Sequence, residues 1–242
     1  MTLTVKQISS LEKIREYSEL PLRGFSNHTM LGGESFSYQL VVSSTERARI
    51  SVSVKSAISE YVNLYFVNDA VMDYPHGPED DGGDFITDKP GPMPDILVPA
   101  EKQNNQFILY GNLRSVWVEV CVPEGFKPGR YEVEVNIKSV PVFNSTEEVN
   151  IAERMYIDVI GVDLPKQKLA VTQWFHTDCI ATVHNVPVYS EEHWALIDSY
   201  IKTAVKLGIN MILTPVITPP LDTGYGNYRP CVQLVKLEKV GE

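Results

Sequence analysis

The hydrophobic pattern of this chain changes near residue 165, and that change limits the folds it can adopt. Between about residues 34 and 160, apolar and polar residues alternate in short runs such as "ARISVSVKSA" and "GRYEVEVNIKSV". In the first run, Ile50, Val52 and Val54 fall on one face of an extended chain. A period of two is typical of a half-buried β-strand. The first two thirds of the chain is therefore predicted to be built of strands.

Several such runs, separated by turn-forming residues, predict an antiparallel β-sandwich. They are "SFSYQLVVSS", "ARISVSVKSA", "VNLYFVNDAV", "NQFILYG", "SVWVEVCVP", "GRYEVEVNIKSV" and "RMYIDVIGV". The sandwich is expected to end at "VDLPKQK", where Pro165 and two lysines are typical of a linker. This boundary places an N-terminal β-sandwich domain at residues 1–165 and a second segment at residues 166–242.

Beyond the linker, two continuous apolar runs flank a helical pattern. The runs are "LAVTQWF" and "INMILTPV". Between them, apolar residues recur at helical spacing, namely Trp194, Ile197, Ile201, Ala204 and Val205. Ser190 is expected to cap the start of this helix and Gly208 to follow its end. A buried strand, a helix and a second buried strand form the βαβ unit of a parallel sheet.

A single βαβ unit cannot cover both faces of two apolar strands. Only about 75 residues follow the linker, whereas a complete (β/α)₈ barrel takes roughly 250 residues. We therefore predict that residues 166–242 form the start of such a barrel, an incomplete segment. The predicted fold class is mainly β with a small α/β part. The uncovered strand faces are expected to pack on the sandwich or on another copy of the chain, which allows self-association.

Polar side chains follow both apolar runs where each predicted strand ends. His176 and Asp178 follow the first run, and Asp222, Arg229 and Gln233 follow the second. Ligands bind at this strand end in barrels and open α/β sheets. Carboxylate, guanidinium and aromatic groups together suit a sugar, whose hydroxyls need directional partners. The alternatives are a hydrogen-bonded His–Asp pair that shapes a loop and an Asp–Arg salt bridge that pins a turn.

Metal and cofactor sites find little support in the sequence. A metal site would add His184 to His176 and Asp178, but this spacing matches no strong zinc pattern. The acidic loop at 73–95 lacks the spacing of a calcium-binding loop; its carboxylates include Asp80, Asp81, Asp84 and Asp88. No nucleotide-binding or metalloprotease motif occurs, so no cofactor and no metal are predicted. His193 is expected to be exposed, and Trp194 to anchor the core.

The overall charge and composition limit the partners of the chain. A net charge of −10 disfavours binding to a phosphate backbone. No apolar run approaches the length of a membrane span, and the N-terminus lacks the apolar region of a signal peptide. The 3 cysteines are widely spaced and odd in number, which favours reduced thiols in a cytoplasmic protein. We therefore expect no nucleic-acid partner and no membrane partner.

Several segments of the sequence resemble a known family. "TQWFHTDCIATVHNVPVYSEEHW", "YIKTAVKLGINMILTPVITPPLDT" and "YRPCVQLVKLE" resemble the start of the catalytic barrel in the domain of unknown function 4091 group. That group is related to glycoside hydrolase family 123. Upstream, "MPDILVP", "SVWVEVCVPEGFKPGRYEVEV" and "VDLP" resemble the β-sandwich that precedes the barrel. The resemblance covers most of the chain from about residue 90.

The resemblance implies a hydrolase that acts on glycans containing N-acetylhexosamine by substrate-assisted catalysis. In that mechanism the acetamido oxygen of the sugar attacks its own anomeric carbon, which differs from the usual scheme of two carboxylates. The adjacent Asp–Glu pair of the family has no counterpart here, so this chain is expected to be inactive. His176, Asp178, Asp222 and Arg229 carry over as substrate contacts, and the catalytic residues remain unassigned.

Two other functions stay open at this point. One is a non-catalytic carbohydrate-binding or assembly module in which the sandwich is the functional part. The other is a metal hydrolase that uses His176, Asp178 and His184.

Overall fold

The computed structural model describes residues 2–20, 24–73, 87, 89–104, 106–143 and 148–214. The chain divides into two units, Met1–Leu164 and Pro165–Glu242. No helix in this described part is long and apolar enough to cross a membrane.

Ten described strands of the first unit form two five-stranded sheets. Their bounds are β1 Leu3–Ser9, β2 Asn27–Gly32, β3 Ser35–Ser44, β4 Ala48–Ser56, β5 Val62–Met72, β6 Gly91–Pro99, β7 Gln106–Leu109, β8 Arg114–Cys121, β9 Gly129–Pro141 and β10 Val149–Asp163. Short 3₁₀ helices at Ser59–Tyr61 and Ala100–Gln103 precede β5 and β7. Sheet 1 has the order β1-β3-β8-β5-β6 and sheet 2 the order β2-β10-β9-β4-β7.

The two sheets share one hydrophobic core. Val133, Val135 and Ile137 of β9 are fully buried, as the two-residue alternation predicts. Sheet 1 contributes inward-facing residues from β3 and β8, namely Tyr38, Leu40, Val42, Val116, Val118 and Val120. Burying an aliphatic side chain stabilises a fold by about 1.5–3 kcal/mol. The prediction of a mainly β fold with antiparallel sheets is confirmed.

Three strands lie outside the alternating runs from which the sandwich is predicted: β1, β2 and β6. β6 contains Pro92 and Pro94, which fit because this strand lies at the edge of sheet 1. Its ladder with β5 shifts register between Asn68 and Asp69. β2 pairs in parallel with β10, so sheet 2 is antiparallel except at this edge.

Charged side chains cover the outer face of sheet 2. The Arg154 guanidinium donates to Glu134 across the β9–β10 ladder at 2.8 Å and lies 3.3 Å from Glu132. The hydrogen bond from Arg154 lowers the pKa of Glu134, and the hydrogen bond from Lys138 lowers the pKa of Glu148. Apart from Glu134, whose side chain is 14% exposed, these side chains are about half exposed to solvent, where ion pairs contribute little to stability.

The second unit is a strand–helix–helix–strand segment. It consists of β11 Thr172–Trp174, α1 Thr177–His184, α2 Glu191–Lys206 and β12 Met211–Leu213. β11 and β12 pair in parallel, with Thr172 opposite Met211. The Asn210 amide braces this pair, since it accepts from the Val171 N–H and donates to the Leu169 carbonyl, each at 2.8 Å. The parallel pair agrees with the predicted βαβ unit, but the connection contains two helices instead of one.

The ends of α2 form as the sequence predicts. The Ser190 Oγ accepts a hydrogen bond from the His193 N–H at 3.2 Å. Gly208 adopts a φ of +86° after the last turn, and the N–H groups of Gly208 and Ile209 donate to the Val205 and Ala204 carbonyls. This pattern is the Schellman motif.

The buried face of α2 differs from the predicted one. His193 and Ile197 are buried, whereas Trp194 is 42% exposed and Val205 is 61% exposed. The expectation that Trp194 anchors the core is therefore wrong. Trp194 and Val205 fit the helical period as well as the buried Ile197 does. The period alone therefore does not show which of the apolar residues on this side of the helix are buried.

Candidate functional site

The candidate site lies where β11 ends and α1 begins. β11 ends at Trp174, and α1 starts at Thr177. His176 is therefore the residue before a helix, and Asp178 lies in the first helical turn. Both residues follow the strand, as predicted, but Asp178 belongs to a helix that the sequence pattern did not predict. Asp178 at the helix start and Asn185 after its end, with φ +53°, are the signals of a short helix.

Asp178 is buried at the N-terminus of α1. It is 2% exposed, and its Oδ1 has no hydrogen-bond partner among the described residues. The positive end of the helix dipole favours a carboxylate at this position. The neighbouring Thr177 is equally buried, and its Oγ1 likewise has no partner there. Two polar atoms with unused hydrogen-bond capacity therefore lie side by side in sequence at the end of β11.

Trp174 and His176 form an aromatic pair at the same strand end. Their ring centroids are 6.1 Å apart, with 18° between the ring planes. Trp174 is 63% exposed, so most of its surface is available for contact. The structure joins His176 to Trp174, and no hydrogen bond in the described part joins His176 to Asp178. The structure therefore does not support the alternative of a hydrogen-bonded His–Asp pair.

His193 connects the elements of this region through its buried ring, a role that the sequence pattern did not predict. It is fully buried rather than exposed, which contradicts the expectation. Its Nδ1 accepts from the Tyr189 N–H at 3.0 Å, and its Nε2 lies 2.8 Å from the Thr177 carbonyl oxygen. With Nε2 donating, a neutral imidazole satisfies both contacts. The ring thereby ties the start of α1 to the residue before the cap of α2.

The sequence did contain a signal that the His193 side chain bonds to the backbone. In the capping box, a Glu or Gln three residues after the N-cap returns a hydrogen bond to the backbone before the helix. Here Ser190 is the cap and His193 occupies that third position. A polar side chain at that position therefore had a backbone partner within reach.

Tyr189 is held in an unusual backbone conformation. Its φ is +63°, a value that non-glycine residues adopt at a cost of about 1–3 kcal/mol. The hydrogen bond to His193 and the stacked ring of Trp194, 6.0 Å away, both support it. Strained residues of this kind concentrate at binding sites.

His184, the third predicted metal ligand, has a different partner. Its Nε2 lies 3.0 Å from the Tyr200 hydroxyl, so it connects α1 to α2. Over the residues that the structure describes, no group of three His, Cys, Asp or Glu side chains could hold a metal ion. The metal-hydrolase hypothesis gains no support.

The remaining predicted residues lie outside the described residues. They are Asp222, Arg229 and Gln233, together with the acidic-loop residues Asp80, Asp81, Asp84 and Asp88.

Comparison with known proteins finds a family model that matches the last part of the chain. Residues 174–242 match the family model "Glycoside hydrolase 123, catalytic domain". The match begins at Trp174, the last residue of β11. A search of curated protein sequences finds no match to the chain.

One solved structure shares the fold over most of the chain. It is a family 123 glycoside hydrolase from Clostridium perfringens, described in terms of glycolipid glycan hydrolysis. The TM-score is 0.71 and the sequence identity 14%, and the alignment covers 88% of this chain and 38% of that chain. The present chain thus spans well under half of that enzyme.

Other solved structures resemble the chain only distantly. A PapD-like domain of human CEP192 aligns with 64% of this chain and 98% of its own length, at 12% identity and a TM-score of 0.31. A Salmonella enterica SafA pilin–SafB chaperone complex aligns with 66% of this chain and 56% of that chain, at 11% identity and a TM-score of 0.33.

Proposed function

The chain is related to glycoside hydrolase family 123, and from this relationship we propose that the protein hydrolyses glycans that contain N-acetylhexosamine. The observation that supports the proposal most is the position of the family match. It starts at Trp174, at the carboxyl end of a strand in a parallel pair, the strand end at which barrels and open α/β sheets bind their ligands. We assign residues 166–242 to the start of a (β/α)₈ barrel.

The side chains at this strand end suit one wall of a sugar site. The exposed Trp174 ring offers a flat apolar surface on which the apolar face of a pyranose can stack. The unpartnered Asp178 Oδ1 is an acceptor for a sugar hydroxyl or an acetamido N–H. His176, stacked on Trp174, supplies a second polar contact. Asp222 and Arg229 complete this proposed set of contacts through their place in the matched segment.

The reaction we propose uses the substrate's own acetamido group. Its oxygen attacks the anomeric carbon, the bond to the leaving oxygen breaks, and an acid delivers a proton to that oxygen. Water then opens the cyclic intermediate. The acid must keep its proton near neutral pH, which requires a raised pKa. We do not place the acid among the described residues, whose role is to bind and orient the sugar.

The proposal is tested with the full-length natural protein and chromogenic N-acetylhexosaminides. Hydrolysis is expected, and Asp178→Asn is expected to lower kcat/KM by about 10- to 100-fold, the loss for one hydrogen bond to a charged group. Asp158→Asn on the outer face of sheet 2 is the matched control, with unchanged kinetics. No release of product from any N-acetylhexosaminide would refute the proposed substrate class.

A further inference from the structure

The segment after β1 crosses the outer face of sheet 1; we call residues 10–16 the strap. Ile14 of the strap is buried against Ile8, Val41 and Leu113. The Gln39 side-chain amide donates to the Glu12 carbonyl at 2.8 Å. These contacts fix the strap on β3 and on the chain before β8.

The strap and β6 enclose a groove with a volume of about 200 Å³. Trp117 of β8 and Val67 of β5 face outward from the sheet and form its floor, with Leu97 of β6 beside them. Trp117 is partly exposed, and its strand β8 lies between β3 and β5, so the groove has an aromatic ring in its lining. At roughly 30 Å³ per water molecule, the groove has the capacity of about seven waters, close to the size of one pyranose.

Charged side chains form the rim of the groove. The Lys13 ammonium donates to the Pro94 carbonyl at 3.3 Å and lies 3.6 Å from the Asp95 carboxylate. The Lys13 side chain is 49% exposed and the Asp95 side chain 71%, and such pairs exchange partners at little cost. Glu12 adds a second carboxylate to the rim. Two carboxylates against one ammonium disfavour an anionic ligand, and the charged rim disfavours a purely apolar one.

In the described part of the chain, Ser115 places a hydroxyl without a hydrogen-bond partner in a separate small cavity beside the groove. It is 5% exposed, and its Oγ has no hydrogen-bond partner among the described residues. It lines a small side cavity together with Ile14, Val67 and Pro94, which also line the groove. A buried hydroxyl without a partner is unfavourable, and a ligand hydroxyl or a bridging water in this cavity would satisfy it.

We propose that this groove binds one neutral sugar residue, with the apolar face of its ring on Trp117 and its hydroxyls at Lys13 and Asp95. An aromatic floor provides stacking, and a rim of charged groups provides directional hydrogen bonds, which is the combination that a polyhydroxylated ring requires. The site lies wholly in the first unit. It would give a glycan-hydrolysing protein a second contact with its substrate, and it stands without the proposed activity of the second unit.

The test is an NMR titration that follows the indole N–H signals of Trp117, Trp174 and Trp194, assigned by single substitutions. N-acetylgalactosamine and galactose are the ligands, and mannitol is the acyclic control. The expected result is a saturable shift of the Trp117 signal with the ring sugars and none with mannitol. No saturable shift at Trp117 with either sugar overturns the proposal.

Substitutions at exposed positions on the rim test the site without disturbing the fold. Asp95→Ala, at an exposed position, is expected to weaken the Trp117 response at least about threefold, since it removes one ligand hydrogen bond. Asp158→Ala, which removes an exposed ion-paired aspartate from sheet 2, is expected to leave it unchanged. Equal responses in both variants would contradict the assigned rim. Asp178→Asn alters the candidate site of the second unit. The Trp117 response must persist in this variant if the groove binds sugar independently of that site.

Discussion

At the residue scale, His193 shows how one polar side chain organises the candidate site. Sequence position suggested an exposed residue in a first helical turn, but both ring nitrogens bond to backbone groups. Helical periodicity ranks residues by hydrophobicity and therefore passes over a buried histidine whose partners are backbone atoms. A different signal identifies this histidine: a capping residue followed three positions later by a polar residue. That signal depends on the local backbone geometry at a helix start, about which hydrophobic periodicity carries no information.

Replacing His193 tests this interpretation. His193→Leu leaves the Tyr189 N–H and the Thr177 carbonyl without partners, and each loss costs about 1–3 kcal/mol. We therefore expect the free energy of unfolding in urea to fall by about 2–5 kcal/mol for the unit that contains it. His184→Leu, at an exposed contact with Tyr200, is the matched control, with an expected change below about 0.5 kcal/mol. Equal effects of the two substitutions would contradict the assignment.

His28 predicts a pH dependence of the first unit. Burial lowers the pKa of His28, against a smaller opposing effect of the Glu34 carboxylate. Its ring stacks on Phe36 at 3.6 Å, and its Nε2 is buried without a hydrogen-bond partner in the described part. Because the unfolded chain binds the proton more readily, the contribution of neutral His28 to stability is complete above about pH 6.5 and is lost as the pH falls below it.

The matched variant for this prediction is His28→Phe, which keeps a ring against Phe36 and cannot bind a proton. The difference in unfolding free energy between the wild type and the variant is measured from pH 8 to pH 5. The wild type should lose stability relative to the variant below about pH 6.5. A pH-independent difference would show that His28 titrates alike in both states.

At the element scale, the sandwich core is where sequence predicts structure best. β4 and β9 alternate strictly because each is buried on one face only. Val135→Ala, in the centre of β9 and fully buried, should therefore destabilise the first unit by about 2 kcal/mol. Val71→Ala, the same change at an 81% exposed position of β5, should have almost no effect. Denaturant titration of both variants measures the difference.

Short and edge elements are where sequence prediction fails, for a shared reason. α1 has only eight residues, too few periods for an apolar pattern to identify it. β11 lies within a predicted apolar run but has only three residues, so the run overestimates its length. β6 tolerates its prolines only because one edge of the strand is unpaired. The caps of α2 were predictable because Ser190 and Gly208 act through local backbone chemistry. Its buried face depends on which elements pack against it, and that information is not local.

At the scale of the whole molecule, exposed apolar surface on the second unit predicts self-association. Large apolar side chains there remain more than half exposed, namely Leu169, Trp174, Val183, Val205 and Leu207. Surfaces of this kind promote association. Sedimentation of the chain should therefore depend on concentration. Val205→Lys with Leu207→Lys should reduce that dependence, whereas Leu11→Lys in the first unit, at a 91% exposed position, should not.

A chain that sediments as a monomer at every concentration would contradict this prediction. The net charge of −10 makes copies of the chain repel one another, and salt screens this repulsion. Raising the ionic strength should therefore strengthen the association of the wild-type chain.

The most direct test of a substrate-assisted glycoside hydrolase compares two substrates that differ only at C2 of the sugar. The full-length protein is given equal concentrations of a chromogenic N-acetylgalactosaminide and of the corresponding galactoside, which has a hydroxyl in place of the acetamido group. Because an intramolecular nucleophile has a large effective concentration, the first should react faster by more than about 10²-fold. Equal rates for the two substrates would contradict the account.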